Sequence, residues 1–276
     1  MLEWLIPNNI LCHAVEAMFF ASIGCAVLSV IITQMKISSI GFTMAHAAFA
    51  GSAIGMFLGV DSTIAAIVSS IVLALIIGPL SEKTRMPPDT TLGILFGSMM
   101  AIAIFFVSWM QNQGRGYGTS ALLFGSVTAL YREEIYALAV VSIISVIFVV
   151  LFFKEISAIL FHQKLAIISG IRVRPLYYGI LFLIAGMVAL ILPIVGGLLL
   201  YVWLVTPAAI VYQFCSTIRQ MFIAAPIVAA CISITGAFAG IIYSLPVGPL
   251  TAVLFSAIFL VSVGLSPKRK ISDHNS

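Results

Sequence analysis

The chain is a succession of apolar runs, each long enough to cross a bilayer as one helix. About 20 residues rising ~1.5 Å each span the ~30 Å hydrocarbon core. The runs, bounded by charges or turn residues, fall at roughly 14–35, 38–59, 62–81, 89–110, 134–153, 175–195, 197–214, 221–243 and 249–266. The stretches between them are too short for a soluble domain. Only 8% of residues are charged and 62% are apolar, against about 25% charged in a soluble domain. These features predict an all-α polytopic membrane protein of about nine transmembrane helices, with residues 1–276 forming a single transmembrane domain.

Orientation follows from the basic residues. With the N-terminus outside, the cytoplasmic side receives Lys36, Lys83, Arg85, Lys154, Lys164, Arg172, Arg174, Arg219, Lys268, Arg269 and Lys270, leaving Arg115 and Arg132 outside. Such a bias obeys the positive-inside rule, and the reverse topology inverts it. The C-terminal tail, 267–276, is then cytoplasmic. The net charge of +4 does not indicate nucleic acid, because the basic residues sit between apolar runs. The four cysteines (Cys12, Cys25, Cys215, Cys231) form no CxxC pair, which argues against a zinc knuckle or redox motif and for buried free thiols. A cleavable signal peptide is not expected, since the N-terminus lacks a basic region and carries Glu3. No Gly-x-x-x-x-Gly-Lys-Ser/Thr phosphate loop occurs, so ATP binding by this chain alone is not expected.

The second run, 38–59, carries His46 near its middle and Ala47, Gly51, Gly55 and Gly59 at every fourth position. That small-residue spacing lets another helix approach closely. An ionisable group at membrane depth faces protein or a watery path rather than lipid. Two readings stay open on the residues alone: an imidazole hydrogen-bonded to a neighbouring helix, or one serving a path.

Other positions punctuate the spans. Pro87-Pro88 forces an extended approach to span four, and Asp89 followed by Thr90 and Thr91 reads as its N-cap. The stretch Gln111–Gly118 reads as an external loop, and Ala121–Leu130 as a half-helix too short to cross. Pro193 with Gly196-Gly197 marks a tight external turn, and Pro207 is expected to kink or interrupt its span. Glu16 reads as a hydrated carboxylate near the outer face and His13 as interfacial. In the longest cytoplasmic link, about 155–174, Ser157 is positioned to cap a helix and Gly170 to end it in the left-handed conformation. Such a helix either lies on lipid or docks a soluble partner.

Several segments together resemble the permease subunits of the metal-type ABC importers, over about Ile40 to Ser266. Met44-Ala45-His46-Ala47 with Gly51 is similar to that family's Ser-His-Ala segment. Asp89 with Leu92-Gly93-Ile94-Leu95-Phe96 is similar to its Asp followed by Ile-Gly-Ile. Leu123-Phe124-Gly125-Ser126 resembles its Leu-Phe-Gly-Ser signature. Phe161, Ala166 and Gly170 fall at its coupling loop. Val195-Gly196 through Thr206-Pro207-Ala208-Ala209, and Leu245-Pro246-Val247-Gly248-Pro249, resemble its last two segments. Two positions depart from the pattern. Phe42 stands where the family often has an Asp, one turn before His46, and His162 stands where it has an Asp after the coupling Phe.

The resemblance implies a homodimeric permease in a prokaryotic cytoplasmic membrane, working with ABC ATPase subunits and an extracytoplasmic substrate-binding protein. It implies no intrinsic cofactor and a divalent metal cargo (zinc, manganese or iron), with His46 as a transient ligand. Gly51, Thr206 and Pro207 then belong to the path or its gate. Phe161, His162, Lys164, Ala166 and Gly170 belong to the ATPase-coupling helix. Two rival expectations are an ABC permease for a metal chelate, such as a siderophore or cobalamin, and a secondary transporter driven by an ion gradient. Against the second, few carboxylates lie within the spans.

Overall fold

The computed structural model describes residues 10–84, 86–114 and 132–267. They form nine α-helices and no strand: α1 (Ile10–Gln34), α2 (Ser39–Leu58), α3 (Ser62–Thr84), α4 (Pro88–Asn112), α5 (Arg132–Leu151), α6 (Phe153–Ile168), α7 (Val173–Tyr212), α8 (Ile218–Ile242) and α9 (Val247–Gly264). All but α6 are long and apolar enough to cross a membrane. The expected half-helix at 121–130, the Leu123–Ser126 segment, Arg115 and the basic residues of the tail lie outside the described residues.

Helix α7 has 40 residues, about 60 Å of helix and twice what one bilayer crossing needs. It is broken at Gly196, whose φ of 80° and ψ of 163° lie in a region that essentially only glycine occupies. Both ends of α7 sit at the same end of the bundle. Val173 and Tyr177 line a crevice with Ile31 and Met35 at the end of α1, and just beyond Tyr212 the sulfur of Met221 accepts from Gln34 Nε2. The break lies at the opposite end, where the Val195 carbonyl abuts Gly248 at the start of α9. From there α9 runs back until Ser266 Oγ donates to the Gln213 carbonyl, 3.4 Å away. Residues 173–195 and 197–212 are therefore two antiparallel spans, and the nine expected crossings are accounted for. Pro207 does not interrupt its span, which stays helical to Tyr212. A proline removes one bond of the ladder while its own φ remains helical.

Helix α2 lies between α3 and α4, while α1 packs against α5, α7 and α8; α7 touches both groups. Helices α1, α2 and α7 are largely enclosed, whereas α3, α4, α5 and α9 keep most of their apolar surface facing outward. In an apolar medium helix association depends on close packing and on hydroxyls that find carbonyls. Accordingly Ser142 Oγ donates to the Phe20 carbonyl at 2.8 Å, and the wholly buried Trp203 indole N–H donates to Ser233 Oγ at 2.9 Å. A reciprocal capping box between Thr217 and Gln220 starts α8.

Candidate translocation site

The residue that singles out α2 in the sequence, His46, is tied into the helix by its own backbone. Its Nδ1 lies 2.9 Å from the Phe42 carbonyl oxygen. A carbonyl only accepts, so Nδ1 carries the proton and Nε2 keeps a lone pair. Among the described residues no hydrogen bond engages Nε2, and the ring is half-buried. The hydrogen bond that holds this imidazole, among the described residues, is to its own helix.

Around it stands an aromatic cluster drawn from three helices. Phe96 of α4 meets His46 edge-on, with ring centroids 4.7 Å apart. Phe42 lies 6.0 Å from His46 and 5.7 Å from Phe96, and packs on Tyr201 of α7 at 3.8 Å with the planes 36° apart. Phe96 ends the segment that follows Asp89 in the sequence pattern, but nothing there places it at His46, and nothing distinguishes Tyr201 from the other aromatic residues of the spans. Among the described residues no three His, Cys, Asp or Glu side chains converge to hold a metal ion. Met44, on the same helix, is wholly buried. A single chain therefore offers one imidazole nitrogen rather than a closed coordination sphere.

Helix α2 is fixed on both sides. On the α4 side Thr43 Oγ1 donates to the Leu92 carbonyl at 2.9 Å, and Asp89 Oδ1 accepts from the Ser39 backbone N–H at 3.2 Å. Asp89 thus departs from its expected place. The cap position of α4 is Pro87, and Asp89, inside the first turn, instead serves an orphan N–H at the start of α2. On the α3 side Ser69 Oγ donates to the Ala47 carbonyl at 2.8 Å. Gly51 is wholly buried there, and a Cβ on it would lie 2.5 Å from the Ala65 carbonyl oxygen, so its place is a packing contact. Thr206 is half-buried and Pro207 buried within the second half of α7.

The second functional stretch is α6. His162 has extended backbone angles (φ −162°, ψ 101°) that break α6, so the single helix expected between Ser157 and Gly170 is interrupted, and it begins at Phe153, ahead of the expected cap. Its first part continues on from α5, and a last turn and a half follows the break. Ser157 does not cap it. The cap position is Phe152, and Ser157 Oγ is buried with no partner. Its end is as the sequence indicates: Gly170 has φ 84°, its N–H donates to the Ile167 carbonyl, and the Ile171 N–H donates to the Ala166 carbonyl. This is the paired-bond arrangement of a left-handed C-cap. Ala166 packs with Ile159, Val173 and Leu176, which pins the turn to the bundle. Phe161, Leu165 and Ile168 are exposed, Phe161 and Ile168 by 80% and 81%, and His162 and Lys164 are exposed beside them.

At the other end, Cys12, His13 and Glu16 of α1 with Arg132 and Tyr136 of α5 line an open cavity of about 150 Å³.

Comparisons with known proteins follow the same outline. The model of the family described as "ABC 3 transport family" matches residues 8–266. The chain is 26% identical to the manganese transport system membrane protein MntC of Halalkalibacterium halodurans, over 98% of this chain and 91% of that protein. It is also 26% identical to the chelated iron transport system membrane protein YfeD of Yersinia pestis, over 95% and 87%. In fold it is similar to a chain of PsaBC from Streptococcus pneumoniae, solved in complex with Fab, with a TM-score of 0.85, 23% identity, and 100% and 98% of the two chains covered.

Proposed function

Because the chain belongs to the ABC 3 transport family, we propose that it is the membrane-spanning permease subunit of an ATP-driven importer for divalent transition-metal ions (zinc, manganese or iron). The observation that carries this reading is the family match over nearly all of the chain, joined to an intramembrane imidazole whose Nε2 has no hydrogen bond among the described residues. Manganese and iron stand in the names of the relatives.

In this reading two copies of the chain enclose the path, and the His46 side chains of the pair serve as transient ligands completed by water. Few ligands suit a site that must release its cargo: a closed four-ligand sphere stores metal, whereas conduction needs binding weak enough to leave. Energy comes from ATP hydrolysed by partner subunits on the cytoplasmic face. The exposed Phe161, Leu165 and Ile168 give those subunits an apolar helical edge to grip. A substrate-binding protein delivers the ion from outside, and the whole sits in a prokaryotic cytoplasmic membrane.

The test is energetic. Membrane vesicles from cells carrying the complete system should accumulate metal only when ATP is supplied, and the ATPase should copurify with the chain. Leu165→Glu or Ile168→Glu should release that partner while leaving the permease folded. Accumulation on an ion gradient alone, without ATP, would replace this reading with a secondary transporter.

A further inference from the structure

The surroundings of His46 bear on which cation passes. Phe42 lies one turn before it on the same helix, and residues so spaced share a face. A side chain at 42 is therefore well placed to meet an ion held on the imidazole. That place is taken by a phenyl ring that packs on Tyr201 at 3.8 Å and meets Phe96 at 5.7 Å. Phe96 closes on His46 itself at 4.7 Å. The carboxylate at this end of α2, Asp89, is engaged by the Ser39 N–H, seven positions before His46 and so about 10 Å along the helix. An ion arriving at Nε2 meets one imidazole nitrogen, the phenyl rings of Phe42 and Phe96, the phenol of Tyr201 packed on Phe42, and whatever water it brings.

Divalent ions differ in how they tolerate such a site. Imidazole suits zinc, iron, copper and nickel, whereas manganese is best served by carboxylate, carbonyl and water, and it stands lowest in the affinity order for a given site. We propose that Phe42 sets cation selectivity: a phenyl ring packed on Tyr201 stands where a side chain one turn from His46 could offer a cation a carboxylate or carbonyl oxygen, favouring zinc and iron(II) over manganese(II). This rests on the reading of His46 as a cargo ligand, and it deepens that reading by naming the class of cation. The selectivity is written into one side chain and is separable from the fold, since Phe42 is only half-buried.

The experiment measures uptake of radioactive Mn(II) and Zn(II) in the native cells, above the background of a strain lacking the chain. The native partners are present throughout, so any change in the ratio between variants belongs to this residue. The wild type should favour zinc by roughly tenfold or more, and Phe42→Asp should bring the two rates to within a few-fold by raising manganese uptake. Phe42→Asn, which adds an uncharged oxygen, should shift the ratio the same way and covers the case of an Asp variant that fails to reach the membrane. Phe42→Leu should leave the ratio near the wild-type value, because it changes shape without adding a donor. Manganese carried as fast as zinc by the wild type would overturn the proposal. So would an unchanged ratio in the Asp and Asn variants, or an equal shift in the Leu variant. Absence of uptake of either ion in the wild type would overturn the metal-permease reading itself, and this proposal with it.

Discussion

At the scale of the residue, the arrangement of His46 separates two roles by experiment. Its Nδ1–H is spent on the Phe42 carbonyl of its own helix, so what the imidazole gives to helix packing is its edge-on contact with Phe96, beside the Thr43 and Ser69 hydroxyl bonds that fix α2 without it. His46→Ala should therefore leave membrane insertion and association with the ATPase near normal, while metal uptake falls by at least about tenfold. His46→Gln should not rescue uptake, because an amide keeps a hydrogen bond but ligates transition metals poorly. Normal transport in the Gln variant would make His46 structural. Uptake should also fall as pH drops, since protonation of Nε2 removes the lone pair an ion needs. His46 was legible in the sequence because an ionisable group amid apolar residues stands out. The places of Phe96 and Tyr201 beside it were not, since an aromatic residue facing a site reads the same as one facing lipid. Asp89 was legible as a capping residue but not as to which helix it caps. Its partner, Ser39, comes from a helix start 50 residues earlier, and only tertiary packing joins the two.

At the scale of the element, the decisive position is Gly196. The two halves of α7 form one unbroken apolar stretch, and what reverses the chain is a single backbone conformation closed to other residues. Gly196→Ala should cost about 1–3 kcal/mol, read as a lower unfolding temperature in detergent. Gly264→Ala, at a helix end with open space around it, should leave that temperature unchanged. An equal effect at both sites would refute the special role of the turn. The lengths and order of the helices could be read from hydropathy, and Pro193 with Gly196-Gly197 did mark the reversal. Pro207 and Ser157 misled for a shared reason. Each residue type favours a helix boundary on average, but both sit within longer helices whose burial of Val202, Trp203 and Leu204, or of Ile156 and Ile159, outweighs the local preference. The break in α6 falls instead at His162, which has no breaker signature.

At the scale of the whole molecule, the orientation in the membrane decides which of the two ends does what. The fold fixes which residues share an end. Lys36 and Arg219 cluster with the starts of α4 and α7, through the contacts of Asp89 with Ser39, of Gln34 with Met221, and of Tyr177 with Met35. Val60 and the start of α9 lie at the far end of helices α2 and α8. The basic residues gathered at the first end argue by the positive-inside rule for the proposed orientation, with that end in the cytoplasm. On that proposed orientation the exposed turn after His162 lies on the side where the proposed ATPase would bind, and the cavity beside Glu16 and Arg132 lies on the outer side. In a background with Cys12, Cys25, Cys215 and Cys231 replaced, a membrane-impermeant thiol reagent should label Val60→Cys in intact cells. Lys164→Cys should be labelled only after permeabilisation. Both side chains are exposed, so access to the aqueous phase, rather than burial, controls the outcome. Labelling of Lys164→Cys in intact cells would turn the molecule over, put Phe161, Leu165 and Ile168 on the wrong side for any ATPase, and remove the coupling role from α6 whatever the cargo.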